Sequence, residues 1–283
     1  MNIYKRRKII NAFMCSATFI CATITLLPLI SIFIYVLSKG ASSLNISFFT
    51  HLPRPVGEPG GGMGNAILGT LTLIGLTCLW AIPVGVLSGV YLAEFGNNKF
   101  GAVVRFSADL LNGVPSIVIG IFAYILFVVP MKTFSALSGA FALGLIMIPT
   151  VMRTTEEILL LVPRTIREAA LALGISQFRM TISIVLKTAL PGIVTGILLA
   201  IARIAGETAP LLFTALGNEF WQRGIMQPIA AMPLQIFAYA ISPFDDWHRQ
   251  AWAASFVLIT IIFLMNFISR LVIYLQRKSL KAK

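Results

Sequence analysis

Arg203 and Glu207 stand four residues apart in a stretch, Gly192 to Pro210, that is otherwise apolar or small. On a continuous helix that spacing puts both side chains on one face. A guanidinium offers a planar fork of donors that fits an oxyanion. Glu207 then serves as the clamp that holds the fork, or as the competitor that an arriving anion displaces. Eleven residues separate Gly192 from Arg203, roughly 16 Å at the helical rise and close to the middle of a bilayer. A central arginine costs on the order of 2.5–3.5 kcal/mol on insertion scales, so ionisable groups at that depth favour a function. The alternative is a self-neutralising pair that only fixes packing. The chemistry on offer is passage of an anion and not covalent catalysis. Gly206 and Pro210 flank the pair, weaken the helix and give it a place to bend.

The elements that must position this pair are apolar helices. The chain has 283 residues, of which 58% are hydrophobic and 11% charged, and its mean hydropathy is +0.90. So few charges cannot cover a soluble domain, and the composition reads as an all-α, polytopic membrane protein. Six apolar segments fall at about 9–37, 65–93, 109–130, 136–153, 190–216 and 251–275. The N-terminal Lys5-Arg6-Arg7-Lys8 precedes a run too long for a signal peptide, so the first segment reads as a retained span. The net charge of +12 lies between the apolar runs, where it reports topology and not nucleic-acid binding. With the N-terminus inside, sixteen Lys and Arg fall in cytoplasmic segments and five outside, which places both termini in the cytoplasm. Residues 226–241 are apolar but short and carry Pro228 and Pro233. They read as an interfacial or re-entrant segment packed on protein.

Other chemistry is excluded on spacing. Cys15, Cys21 and Cys78 lie in spans, and His51 and His248 are isolated, so no metal site is expected. The glycine-rich stretch 57–64 lacks the Gly-Lys-Ser/Thr that a phosphate-cradling loop needs. The chain therefore carries no nucleotide-hydrolysing site that can be recognised. Two long external segments, 38–63 and 217–250, suit a docking surface.

The longest internal segment is 154–188. Thr165 and Glu168 have capping-box spacing, Glu168 to Leu173 are strong helix formers, and Gly174 is a natural helix stop. Phe178, Ile182, Val185 and Leu186 follow at helical spacing. The segment reads as a short helix, a glycine turn and a second helix, with alanines at 169, 170 and 172 leaving a slim surface for a partner groove. The bland alternative is a lateral amphipathic helix at the membrane surface.

Glu168-Ala169-Ala170, three residues, Gly174, nine residues and Ile184-x-Leu186 resemble the EAA loop of ABC importer permeases, with Lys187 standing where that family's motif ends in proline. Ala202 to Leu216, Gly61 to Ala66 and Pro149 to Glu157 resemble the phosphate-permease (PstA-type) branch of that family. The resemblance runs from about residue 60 to 275.

It implies a type I ABC importer permease fold with six transmembrane helices in the bacterial inner membrane. Residues 1–63 would form an N-terminal helix and external loop, 64–275 the permease domain, and 276–283 a cytoplasmic tail. The implied role is translocation of inorganic phosphate, without enzymatic activity in this chain. ATP and Mg would be bound by partner ATPases. The implied partners are a second homologous permease (PstC-like), two ABC ATPase copies (PstB-like), an external phosphate-binding protein (PstS-like) and the lipid bilayer. Arg203, Glu207, Thr208 and, less centrally, Arg153 would line the substrate pathway. Glu168, Ala169, Ala170 and Gly174 would couple to the ATPase. Two rivals remain on the residues alone: a permease for another oxyanion such as sulfate or molybdate, and a proton-coupled anion transporter with Glu207 as carrier.

Overall fold

The computed structural model describes residues 3–55, 58 and 60–281, and side chains as far as Leu271. Gly57 and Pro59 of the glycine-rich stretch lie outside the described residues, as do Lys283 and the side chains of Arg277, Lys278 and Lys281 in the expected tail. The described chain is helical, with one isolated bridge between Leu216 and Ile229 and no strand. The helices are α1 (Ile3–Ser42), α2 (Ile46–Thr50), α3 (Gly64–Phe95), α4 (Lys99–Gly113), α5 (Ser116–Met131), α6 (Ala136–Leu160), α7 (Arg164–Ala172), α8 (Gln177–Ala205), α9 (Ala209–Thr214), α10 (Met232–Ala240) and α11 (Asp245–Lys281). Five of these are long and apolar enough to cross a membrane, and six spans result if α4 and α5 count as one bent span.

The centre is α6, packed against α3. Small residues let the two backbones approach, which is how helices associate where lipid supplies no hydrophobic drive. A Cβ on Gly89 would fall 2.6 Å from the Met152 carbonyl and from Thr155, and one on Gly85 would fall 2.8 Å from Val151. Leu73, Leu143, Met147 and Val151 bury between these helices, joined by Ile204 of α8 and Leu211 of α9. Helix α1 is peripheral. It touches α11 near its own C-terminal end, where Gly40 lies against Trp252 and Phe256, and Tyr35 meets Trp252 edge-on at 4.9 Å.

Three segments differ from the sequence-based expectation. The third span, expected over 109–130 as one helix, breaks at Val114-Pro115, and α4 and α5 diverge by 104°. Proline pushes the residue before it out of helical geometry, and Val114 is extended at φ −72°, ψ 131°. The fourth span is not short: α6 continues through Glu156 and Glu157 to Leu160. The fifth does not run to 216. Its helix starts at Gln177, ends at Ala205 and resumes as the six-residue α9.

Residues 226–241 do not cross a membrane. Their helix, α10, has nine residues, about 13 Å against the roughly 30 Å of a hydrocarbon core. Ile229, Ala230, Ala231 and Met232 are buried. The Met232 amide donates to Thr70 Oγ1 at 2.8 Å, and the Ala136 amide to the Gln227 carbonyl at 3.1 Å, so the segment is packed on protein as expected.

Candidate functional site

Helix α8 buries Ile193, Gly196, Ala200 and Ile204 at helical spacing. The opposite face is therefore turned outward, and it carries Leu199 and Arg203, both exposed. Arg203 sits two residues before the helix ends. The winding tightens there: the Gly206 amide donates to the Arg203 carbonyl and the Glu207 amide to the Ile204 carbonyl, both three residues back. This 3₁₀-type closure satisfies terminal carbonyls and takes Glu207 off the face it would share with Arg203 on a continuous helix. The expected one-turn pairing is not formed. Among the described residues, no side-chain hydrogen bond or ion pair joins Arg203 to Glu207, or either of them to another group.

The break is held from both sides. Pro210 stands in the first turn of α9, where its missing amide leaves no bond unmade. Gly120 of α5 packs on it so closely that a Cβ there would lie 2.6 Å from Pro210 Cα. The Thr208 carbonyl accepts from the Leu211 and Leu212 amides. Thr208 and Glu207 are half-buried beside the break. The arrangement is an uncompensated guanidinium on an outward, largely apolar face, next to a discontinuity fixed by neighbouring helices. Such a group can take an oxyanion on two donors.

Arg153 is not part of this arrangement. It is engaged at the far end of α6, with Nη1 2.9 Å from Glu156 Oε2 and Nε 3.2 Å from Asp109 Oδ1. Glu156, 3% exposed, also accepts from Arg105 Nε at 2.6 Å. Arg105 in turn donates to the Gly96 and Leu92 carbonyls at the end of α3, at 2.9 Å each. Two cations and two anions thus tie α4, α6 and the end of α3 together. The sequence reading named Arg153 alone. Its partners are Glu156, three residues on in the same helix, and Asp109, 44 residues back on α4, and the signal was a glutamate in the last turns of an apolar helix.

The loop read as internal, 154–188, folds as a short helix, a glycine turn and a second helix. At the turn Gly174 adopts φ +76°. The Gly174 amide donates to Leu171 and the Ile175 amide to Ala170, the paired bonds of a Schellman closure. Two details differ from expectation. Thr165 and Glu168 form no capping box: Pro163 is the cap residue and makes no side-chain bond. The alanines also do not form one surface. Glu168, Ala169 and Ala172 are exposed, but Ala170 is buried against the chain's own core with Leu159, Val162 and Met180.

A contact not read from the sequence lies beneath α7. Arg167 Nη2 donates to Glu94 Oε1 at 2.8 Å and to the Leu159 carbonyl at 2.9 Å. Glu94 is the single charged residue of α3, and a lone carboxylate closing an apolar span was the available clue. Among the described residues there is no group of three His, Cys, Asp or Glu that could hold a metal.

The two segments read as external, 38–63 and 217–250, meet. A cleft of about 820 Å³ lies between Asn45, Arg54 and Glu58 on one side and Asp245, Asp246 and Trp247 on the other. A second, of about 600 Å³, shares Arg54 and Trp247 and is closed by Asn218, Gln235 and Tyr239.

Residues 81–281 match the family model described as the binding-protein-dependent transport system inner membrane component. The chain belongs to that family. It is therefore a membrane permease component, a translocation subunit of ABC type. It is similar to a protein of Yersinia pestis named phosphate transport system permease protein PstA, at 46% identity over 88% of this chain and 85% of that one. The Haemophilus influenzae protein of the same name is 44% identical over 94% of each chain. An archaeal relative from Methanocaldococcus jannaschii, named as a probable phosphate permease, is 40% identical over 88% of this chain and 89% of its own. Among solved structures, an inward-facing form of the MetNI methionine ABC transporter aligns with TM-score 0.60 at 18% identity, covering 75% of this chain and 96% of that one. That likeness establishes the importer permease fold.

Proposed function

We propose that this chain is the permease subunit of an ATP-driven importer for inorganic phosphate in the bacterial inner membrane, with both termini cytoplasmic. The observation that carries the reading is Arg203: an exposed guanidinium without an anionic partner, on an apolar helix face, at a break that α5 and α9 hold in place. Near-full-length similarity to proteins named as phosphate permeases supports phosphate as the anion. Glu207 and Thr208 complete the polar rim. Because Glu207 is not bound to Arg203, its role is to face the incoming anion's protonated oxygen, or to pair with Arg203 once the anion has left.

The remaining machinery is placed by the same logic. Glu168, Ala169 and Ala172 form the outward face of α7, and this face is assigned to a cleft in an ATPase subunit, with two such subunits in the assembly. The face of α8 that carries Arg203 is turned away from the chain's own core, which suits a second, homologous permease. The paired clefts around Arg54 and Trp247 suit an external phosphate-binding protein. ATP and Mg are handled by the ATPases. Arg153, pinned by Glu156 and Asp109, is a strut at the far end of α6 and not a phosphate ligand.

The test is competition in vesicles containing the full importer. Labelled phosphate uptake should require internal-side ATP, survive collapse of the proton gradient, and resist excess sulfate or molybdate. Uptake blocked by sulfate, or abolished by an uncoupler with ATP present, sinks this assignment.

A further inference from the structure

The Arg167–Glu94 pair lies where two different bodies meet. Arg167 immediately precedes Glu168, the first exposed residue of the proposed ATPase-facing surface. Its side chain points the other way, inward, and is 17% exposed, while Glu94 is 5% exposed. One guanidinium nitrogen bridges the Glu94 carboxylate and the Leu159 carbonyl. These belong to the last turns of α3 and α6, where helix carbonyls lack intrahelical partners and a cation is favoured. The guanidinium Nε is buried and makes no bond, so the Nη2 contacts carry the attachment. Ala170, one turn on, packs into the same core beside Leu159 and Val162.

Helices α3 and α6 behave as one unit, because the contacts at Gly85 and Gly89 leave no room for sliding without a clash. Between α6 and α7 the chain makes a three-residue connection, Leu161 to Pro163, with Leu161 and Pro163 exposed. Without a side-chain tie, α7 could tilt about that connection while α3 and α6 stayed still. A buried ion pair with one partner removed is costly, which makes such a tie stiff against separation.

We infer that Arg167 and Glu94 are positioning residues for coupling: they fasten α7 to the α3–α6 unit, so that a push on α7 moves that unit as a rigid body. The inference rests on the proposal that α7 receives force from an ATPase. It assigns the pair no contact with phosphate or nucleotide. The pair holds the lever, and Glu168 and its exposed neighbours meet the partner.

The experiment uses the complete importer in vesicles, and uptake by the unsubstituted assembly reports separately on the functional reading. Glu94→Gln and Arg167→Gln should each lower phosphate taken up per ATP hydrolysed by about fivefold or more, within the range of ordinary coupling energies. Hydrolysis itself should persist, Arg167→Lys should retain most of the coupling, and the double variant should lose no more than either single one, as contacting partners do. Unchanged coupling in both single variants, or losses that multiply in the double variant, would overturn the inference. A second readout avoids charge removal. With Cys15, Cys21 and Cys78 replaced by Ala, spin labels at Leu87→Cys on α3 and Thr165→Cys on α7, both exposed, should keep one distance with and without vanadate-trapped ADP. A change of several ångströms between these states means that α7 moves independently, and the inference fails.

Discussion

Arg203 and Glu207 are four residues apart in sequence, yet helix α8 ends between them, at Ala205, and they are not paired. The guanidinium is left uncompensated by its own chain. Replacing Arg203 with Gln should therefore remove phosphate uptake by tenfold or more, roughly the loss expected when a charge-assisted contact to an anion is deleted. Lys, a point charge without the planar fork, should recover only part of it. Glu207→Gln should have a smaller effect on uptake and no effect on the folding of α8. Uptake is measured in vesicles with hydrolysis followed in parallel. Normal uptake by the Gln variant at position 203 would remove the basis of the assignment.

Ala169 and Ala170 are adjacent on α7, yet Ala169 is exposed and Ala170 is buried in the core. A cysteine at Ala169 or Ala172 should cross-link to the ATPase subunit in at least one nucleotide state. A cysteine at Ala170 should give no product in any state and should react slowly with water-soluble maleimide. Equal cross-linking at 169 and 170 would mean that α7 turns over in the assembly.

Much of this was legible beforehand, and the exceptions have physical causes. The Gly174 turn could be read because a left-handed cap strongly selects glycine. Arg203 stood out because charge in an apolar run is conspicuous. The elbow at Val114-Pro115 was signalled by its proline but masked by apolar residues continuing on both sides, which look the same in one straight span or two bent segments. Ala170 was missed because periodicity cannot separate buried from exposed positions among alanines at 169, 170 and 172 that look alike. The Arg167–Glu94 contact joins positions 73 residues apart, and no local pattern encodes it. Of the two carboxylates that hold Arg153, Glu156 at i+3 was open to a local reading, whereas Asp109 comes from α4, 44 residues back, and no local pattern encodes it.

Glu156 holds Arg105 and Arg153 from a position that is 3% exposed. Glu156→Ala leaves two cations short of a partner and should destabilise the chain by about 3–5 kcal/mol, as removing one member of a buried pair does. Asp109 is 56% exposed, so Asp109→Asn should cost only about 0–1 kcal/mol. Thermal unfolding in detergent would compare them. Equal small shifts would show that the α4–α6 tie is unimportant to the fold.

Gly89 and Gly75 both lie on α3 and give a matched pair. A Cβ at Gly89 meets the Met152 carbonyl and Thr155 at 2.6 Å, whereas a Cβ at Gly75 has nothing within 4 Å. Alanine has the better helix propensity, by roughly 0.8–1 kcal/mol in a helix interior. At Gly75 that gain is unopposed, so Gly75→Ala should be neutral or mildly stabilising. At Gly89 the added methyl must push α3 away from α6, against backbone that cannot rotate aside, and overpacking of this kind costs about 1–3 kcal/mol. Gly89→Ala should therefore lower the unfolding temperature while Gly75→Ala does not. It should also weaken coupling, because the α3–α6 unit that α7 is fastened to would be loosened at its inner end. If the two alanines behave alike in both measurements, the close approach at Gly89 is not what holds that unit together.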